Sequence, residues 1–280
     1  MKKLWPIILL LTLVLTSLQS AHAKPPYGRF APSSFSNHVV LIPWNSDEGR
    51  HRLERAEFKT DFFQLAGFFQ PQINPLYCGI ASSTIVLNTL RQSKGEAPSQ
   101  AAMEVAKPQV WGGKNVPYPA YSQFTLLNEK TDKVKPREII ELKNITPENT
   151  RDAKYFDPGL SLAHLKGILE VYGLKVDISH ADLPETQGVE KFRAQVQRVL
   201  GDSHSFLVAN FKGKTFGAPT GGHISPLAAY DGVSDSVLIL DVAGHKNPWY
   251  WVPIRDLYLG MHTRDGKTYR GWIRVEESQK

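Results

Sequence analysis

The chain has 280 residues, 41% of them hydrophobic and 21% charged, a formal net charge of +6 and a single cysteine. That composition fits one large globular unit or two closely packed lobes, and it excludes a disordered chain or a disulfide framework. The positive balance suits small anionic substrates. Lys and Arg are spread along the chain with no dense run interleaved with aromatics, so no nucleic-acid partner is expected.

Lys2 and Lys3 precede an apolar run from Leu4 to Leu18, and Ala21-His22-Ala23 has the small-x-small form of an export cleavage site. Residues 1–23 therefore read as a signal peptide cleaved after Ala23. Residues 24–280 read as a single catalytic domain of two lobes, exported to the periplasm or secreted. The apolar run is short, Pro6 breaks it, and no cysteine lies near the cut, so no stable membrane anchor is expected. Export normally brings disulfides. A lone thiol kept in an exported protein needs a different reason.

Lys24 to Val40, rich in Pro, Ser and aromatics, reads as an extended arm. Glu48 to Phe58 reads as a short exposed helix, and Thr60 to Phe69 as an apolar one. The segment Gln70-Pro71-Gln72-Ile73-Asn74-Pro75-Leu76-Tyr77-Cys78 follows, with Pro75 biasing Asn74 toward an extended backbone. From Gly79 to Gln92 apolar residues fall on most sides, which predicts a buried helix. Ser99 caps a further helix from Gln100 to Lys107. Prolines break the pattern between Pro108 and Pro158, and Asp157-Pro158-Gly159 reads as a turn. Ser161 to Tyr172 has helical spacing and Gly173 closes it. Leu174 to Ile178 reads as a strand and Val189 to Leu200 as an amphipathic helix. Strands then follow at Ser205–Phe211, Gly222–Tyr230, Ser236–Val242 and Arg270–Val275, with a helix at Ile254–Met261. Helices before strands predict an α+β fold, with a helical N-terminal lobe and an antiparallel-sheet C-terminal lobe.

Cys78 is placed where the extended segment gives way to the buried helix. There the positive end of the helix dipole stabilises a thiolate. Gln72, six residues upstream, is an amide donor able to face the same spot. The plainer reading is that a lone cysteine is a small buried hydrophobe. Catalysis requires a base and a group to orient it. Of nine histidines, His223 stands out because it follows Gly221-Gly222 and opens an apolar strand. The next apolar strand ends at Asp241, an expensive place for a carboxylate without a partner. A hairpin turning near Gly232 sets the two nearly opposite. Asp241 would then take the Nδ1–H of the imidazole and leave Nε2 facing the thiol. The competing reading makes Asp241 a turn residue and His223 an ordinary strand-end histidine. Arg270, opening the last strand, suits a carboxylate clamp, or is a solvated strand-end arginine. No metal motif is present.

The blocks Gln72-Ile-Asn-Pro-Leu-Tyr-Cys78-Gly-Ile-Ala-Ser, Gly222-His223-Ile-Ser-Pro-Leu, Leu238-Ile-Leu-Asp241-Val-Ala and Trp251-Val-Pro resemble the phytochelatin synthase family. The resemblance covers much of Gln72 to Trp251 and implies a papain-like fold. It makes Cys78 the acylated nucleophile, His223 the general base and acid, Asp241 its orienter and Gln72 an oxyanion donor. Gly222 and Arg270 are the candidate substrate-binding positions. The implied reaction cleaves the Cys–Gly bond of glutathione and holds the γ-glutamylcysteinyl group as a thioester, for transfer to a second glutathione or to water. No tightly bound cofactor is implied. Cadmium or zinc would enter with glutathione as a metal–thiolate substrate.

Two departures bear on the acceptor. Eukaryotic members carry a Cys-rich C-terminal extension, whereas Cys78 is the only cysteine up to Lys280. After Asp241 the chain reads Gly244-His245-Lys246-Asn247-Pro248, where the family pattern has a basic Arg followed by Lys and Tyr. Both point to water as the main acceptor. A papain-like peptidase or amidase on another exported peptide, and an inactive thiol-binding module of the same fold, remain alternatives. The oligomeric state is open, a homodimer included.

Overall fold

The structure, a computed structural model, describes residues 39–92, 110–111, 114–115, 121–141 and 159–278. The expected signal peptide, most of the N-terminal arm and the helix from Gln100 to Lys107 lie outside these residues. The first elements are β1 (Ile42–Pro43), α1 (Asp47–Arg55), α2 (Thr60–Ala66) and α3 (Cys78–Gln92). Two paired short strands, β2 (Val110–Trp111) and β3 (Lys114–Asn115), and three single-turn helices, α4 (Gln123–Leu126), α5 (Glu129–Asp132) and α6 (Arg137–Ile140), come next. Then follow α7 (Leu162–Val171), β4 (Leu174–His180), α8 (Glu185–Leu200), β5 (Ser205–Lys212), β6 (Gly222–Asp231), β7 (Ser236–Ile239) and β8 (Tyr250–Pro253). The chain finishes with α9 (Ile254–Met261), the small hairpin β9 (Arg264–Asp265) and β10 (Thr268–Tyr269), and β11 (Gly271–Glu277).

Seven strands pair antiparallel in the order β1-β8-β7-β6-β5-β11-β4. The central strands β5 and β6 are buried along almost their whole length. Alternate residues of β5 feed different faces: Phe206 and Val208 join one core cluster, and Leu207, Ala209 and Phe211 join the other. Helices α3 and α7 contribute to the first cluster, α8 and α9 to the second. A sheet covered on both sides reads as continuous apolar runs rather than a clean alternation. The edge strand β4 keeps its alternation, with Leu174 and Val176 buried and Lys175 and Asp177 exposed. The expected α+β layout holds: Cys78 opens a buried helix of the N-terminal part, and His223 and Asp241 belong to the sheet.

Helix α3 is held from all sides. Ile80, Ile85, Val86 and Leu87 have no exposed surface, and each such side chain contributes roughly 1.5–3 kcal/mol of burial. Most of its polar side chains are satisfied, and Ser83 Oγ is left buried without a partner. The hydroxyls of Ser82, Thr84 and Thr89 donate to the carbonyls of Cys78, Ile80 and Ile85 at 2.8, 2.8 and 2.9 Å. Asn88 accepts from the N–H of Tyr121 at 2.7 Å and donates to its carbonyl at 2.8 Å.

Several boundaries differ from expectation. Helix α8 begins at Glu185, four residues before the expected Val189, because Pro184 precedes a polar first turn that hides the start. Gly188 in that turn admits Tyr258, whose Oη lies 1.9 Å from where a Cβ would stand. Strand β7 stops at Ile239, short of Val242. Opposite it, β6 has a register shift between Leu227 and Ala229, and Pro226 has no N–H to give. Leu240 still donates to the Pro226 carbonyl at 3.0 Å, but Asp241 lies beyond the ladder. The last strand begins at Gly271, so Arg270 precedes it. A Cβ at Gly271 would fall 2.0 Å from the Ser179 carbonyl oxygen, so the glycine lets β11 close onto β4. Strands β1 and β8 were not expected from sequence, being short and bounded by proline.

Candidate active site

Cys78 is aimed by a turn. Asn74 Oδ1 accepts from the Leu76 N–H at 2.9 Å, and the Tyr77 N–H donates to the Asn74 carbonyl at 2.9 Å. Asn followed by Pro supplies the side-chain acceptor and the fixed φ that such a turn uses. The chain then enters α3 at Cys78, whose side chain is half-buried. The Cys78 N–H is among the first-turn donors that a helix start leaves without an intrahelical partner.

Helix α3 and strand β6 meet closely at this point. A Cβ on Gly79 would lie 3.0 Å from Leu160 Cδ1 and 3.3 Å from Ile224 Cδ1, so only glycine fits without displacement. Ser82 Oγ donates to the Cys78 carbonyl and lies 3.1 Å from the Ile224 carbonyl. These contacts fasten the start of α3 to the residue after His223.

His223 is buried, with Phe211 edge-on to its ring at a centroid distance of 5.6 Å. Its Nε2 lies 2.7 Å from Asp241 Oδ1 and 3.2 Å from Ser225 Oγ. The thiol of Cys78 is the imidazole's remaining partner, by hydrogen bond and by charge. This reverses the expected use of the ring: Nε2 faces the carboxylate and Nδ1 is left for the sulfur. Asp241 lies past the ladder and meets the distal nitrogen, which leaves the proximal one for the thiol.

Burial alone would depress His223, but the charge and hydrogen bond of Asp241, with Cys78 added, outweigh it and hold the imidazole above its ordinary pKa. Burial would raise Asp241. The His223 charge and hydrogen bond, the Ala243 N–H and the Asn247 amide together hold it below the usual carboxylate range. The Ala243 N–H donates to Oδ1 and Asn247 Nδ2 to Oδ2, both at 2.8 Å. Burial, and after it the charge of Asp241, pushes the Tyr250 phenol well above its ordinary value. Asp241 thus favours the protonated imidazole, and with it proton uptake by His223.

Gln72 lies in the loop before α3. Its N–H donates to the Val242 carbonyl at 2.8 Å and its Nε2 to the Asn74 carbonyl at 3.0 Å. It therefore sits between the cysteine turn and the segment after Asp241, with a second Nε2–H uncommitted. Arg270 is not a solvated strand-end arginine. Its Nη1 donates to Asn210 Oδ1 at 2.7 Å and lies 3.3 Å from Asp265 Oδ2, and Asn210 Nδ2 donates to the same Asp265 oxygen at 2.8 Å. A Cβ at Gly222 would meet Arg270 Nη2 at 2.9 Å, so Gly222 leaves the space this guanidinium occupies. Sequence reading gave no role to Ser82, Ser225, Asn210, Asn247 or Tyr250, although Asn210 and Ser225 are polar residues buried in otherwise apolar strands. Among the described residues no group of three or more His, Cys, Asp and Glu could hold a metal ion, and no helix is long and apolar enough to cross a membrane.

Glutathione gamma-glutamylcysteinyltransferase 1 of Arabidopsis thaliana is 28% identical over 244 residues, covering 85% of this chain and 42% of that protein. The enzyme of the same name from Triticum aestivum is 30% identical over 216 residues, covering 76% of this chain and 35% of the relative. The chain thus spans less than half the length of these relatives. A solved structure, xylellain, a cysteine protease from Xylella fastidiosa, aligns over 90% of this chain and all of its own at 11% identity, but its TM-score of 0.36 is too low to carry an argument. A model of the phytochelatin synthase family matches residues 36–272, and the chain belongs to that family.

Proposed function

We propose that this protein is a cysteine-dependent acyltransferase that cleaves the Cys–Gly bond of glutathione through a γ-glutamylcysteinyl thioester. The observation that carries the proposal is the His223 ring held between Asp241 and the Cys78 thiol, in a family whose relatives are named for that transfer.

In the proposed reaction His223 Nδ1 takes the thiol proton, and the sulfur attacks the carbonyl carbon of the Cys–Gly amide. The oxyanion is met by the Cys78 N–H and the free Nε2–H of Gln72. The imidazolium gives its proton to the glycine nitrogen, the C–N bond breaks, and glycine leaves. An acceptor, water or the amine of a second glutathione, then loses a proton to His223 as it attacks the thioester, and the sulfur leaves as thiolate. Asp241 keeps the ring oriented through both halves without itself being protonated. Arg270, paired with Asp265 beside Gly222, suits the carboxylate and ammonium of the γ-glutamyl end. Every group in this scheme comes from one chain, so a homodimer is not required. Cadmium or zinc enters only as a thiolate complex of the substrate.

We further propose that water is the main acceptor. An amine competes with water only when a second site holds it in attack geometry. Gly244, whose nearest neighbour to a built Cβ is Pro71 at 3.7 Å, leaves that approach beside Gln72 without a side chain. Residues 1–23 are proposed to direct export and to be removed after Ala23, which the mass of the mature protein tests.

Mass spectrometry after brief exposure to glutathione tests the central step. A γ-glutamylcysteinyl adduct on Cys78, absent in Cys78→Ser, is expected. No adduct on a correctly folded protein, with another peptide acylating Cys78 instead, would overturn the substrate. Chromatography of the products tests the acceptor: γ-glutamylcysteine and glycine should dominate. Phytochelatins as the main early product without added metal would refute that part.

A further inference from the structure

Asp241 is held by more groups than a carboxylate at the end of a β-ladder needs for folding. Its Oδ1 receives His223 Nε2 at 2.7 Å and the Ala243 N–H at 2.8 Å. Its Oδ2 receives Asn247 Nδ2 at 2.8 Å. Asn247 is 1% exposed. The turn that carries it is closed by backbone alone, since the Asn247 N–H donates to the Ala243 carbonyl at 3.1 Å and the Lys246 N–H to the same oxygen at 2.7 Å. The side chain is therefore not needed to make the turn. It also carries a liability: Asn247 Oδ1 is buried with no hydrogen-bond partner. A buried half-satisfied amide is less favourable than an apolar side chain of the same size.

We propose that Asn247 is a positioning residue of the reaction. Its amide fixes Oδ2 of Asp241, so the carboxylate cannot turn about its Cβ–Cγ bond. Through Asp241 it sets the direction in which His223 presents Nδ1 to Cys78. The inference rests on the acyl-transfer reading for its kinetic readout. The state of the thiol–imidazole pair can be read without any substrate.

The test uses the full chain and two variants, Asn247→Leu and Asn247→Asp. Four quantities are measured: thermal midpoint, kcat and KM with glutathione, the pH profile, and the rate at which iodoacetamide alkylates the single cysteine at pH 6. An ordinary thiol is almost wholly protonated at that pH, so fast alkylation reports the pair. Asn247→Leu removes an unpaired buried oxygen but also the donor to Asp241 Oδ2, so a modest loss of melting temperature is expected. Its kcat and its alkylation rate should both fall about tenfold, with KM within about twofold. In Asn247→Asp a protonated carboxyl can donate to Oδ2 as the amide does. Its activity should approach wild type in acid and disappear as pH rises and two carboxylates come to face each other, at a lower pH than any alkaline loss of wild type. Wild-type kcat and alkylation in Asn247→Leu would overturn the proposal. So would equal losses of melting temperature and activity in both variants with an unchanged pH profile, since that is a structural role. If wild type fails to turn over glutathione while alkylation still drops in Asn247→Leu, the substrate assignment falls and the positioning role stands.

Discussion

Asp61, in the first turn of α2, is fully enclosed, and neither of its carboxyl oxygens has a hydrogen-bond partner. Burial, and secondarily the charge of Asp202, push its pKa up to about 9 from 3.8. Between those values the folded chain keeps a proton that the unfolded chain has released. Stability therefore falls as pH rises through that window, by about 1.4 kcal/mol per unit. The penalty is absent below the unfolded value and has grown to about 4 kcal/mol at pH 7. Asp61→Asn keeps the shape of the side chain and removes the ionisation. It should stabilise the protein by about 2 kcal/mol at pH 5 and about 4 kcal/mol at pH 7. Urea unfolding at pH 5, 7 and 8.5 measures the difference. A difference independent of pH, or a loss of stability at pH 7, would mean that Asp61 is ionised and compensated in the folded state, and the reasoning from its burial would fail.

Arg55→Ala has the opposite pH signature. Arg55 grips buried Asp231 with two bonds, at 3.0 and 2.7 Å. Burial raises that carboxylate, but its bonds to Arg55 and Ser234 prevail and hold it below its ordinary value. The variant should be destabilised at neutral pH, and the deficit should shrink as pH falls through the carboxylate range; a deficit unchanged at pH 3 would refute the pairing. Gln72→Ala should lower kcat by about tenfold to a thousandfold with KM little changed, and steady-state kinetics that show only a KM effect would remove it from the oxyanion site. Gly79→Ala should reduce kcat about tenfold by moving α3 off β6. Its melting temperature should change little, because the crowding at Leu160 and Ile224 opposes the gain in helix propensity. Wild-type kcat in this variant would show that the contact does not set the Cys78–His223 geometry.

Much of this was legible in the sequence because it rests on local signals. The uninterrupted apolar run after Cys78, the helical spacing from Ser161 to Tyr172, the glycine after α7 and the apolar strands each follow from propensity and periodicity over a few residues. The boundaries that moved depend on distant partners. Whether β7 runs to Val242 is decided by Pro226 on the neighbouring strand, and where α8 starts is decided by Tyr258 folding back over Gly188. Strand β8 is held by β7, from Ser236 opposite Pro253 to Ile239 opposite Tyr250, and β1 by β8, with Ile42 opposite Trp251 and Pro43 opposite Tyr250. Neither has a pattern of its own long enough to read. Arg270 was legible as a charge near the site, but its engagement with Asn210 and Asp265 joins residues 60 and 5 positions away.

The same distinction explains why the triad was readable and its orientation was not. Cys78, His223 and Asp241 are each chemically out of place in an apolar setting, so each stands out one residue at a time. Which ring nitrogen meets which partner depends on two packing distances. Gly79 lets the start of α3 close onto Ile224, the residue after His223. The β6–β7 ladder then runs out before Asp241, so the carboxylate approaches the imidazole from the far side. Beyond the ladder Asp241 has no strand partner for its oxygens. The Ala243 N–H and the buried Asn247 amide supply the donors instead. A carboxylate placed inside the ladder would have been oriented by neighbouring side chains alone. Placed past its end, it can be held by a backbone N–H and a turn amide while leaving one lone pair for His223. The irregularity of β7 is therefore part of how the site is built.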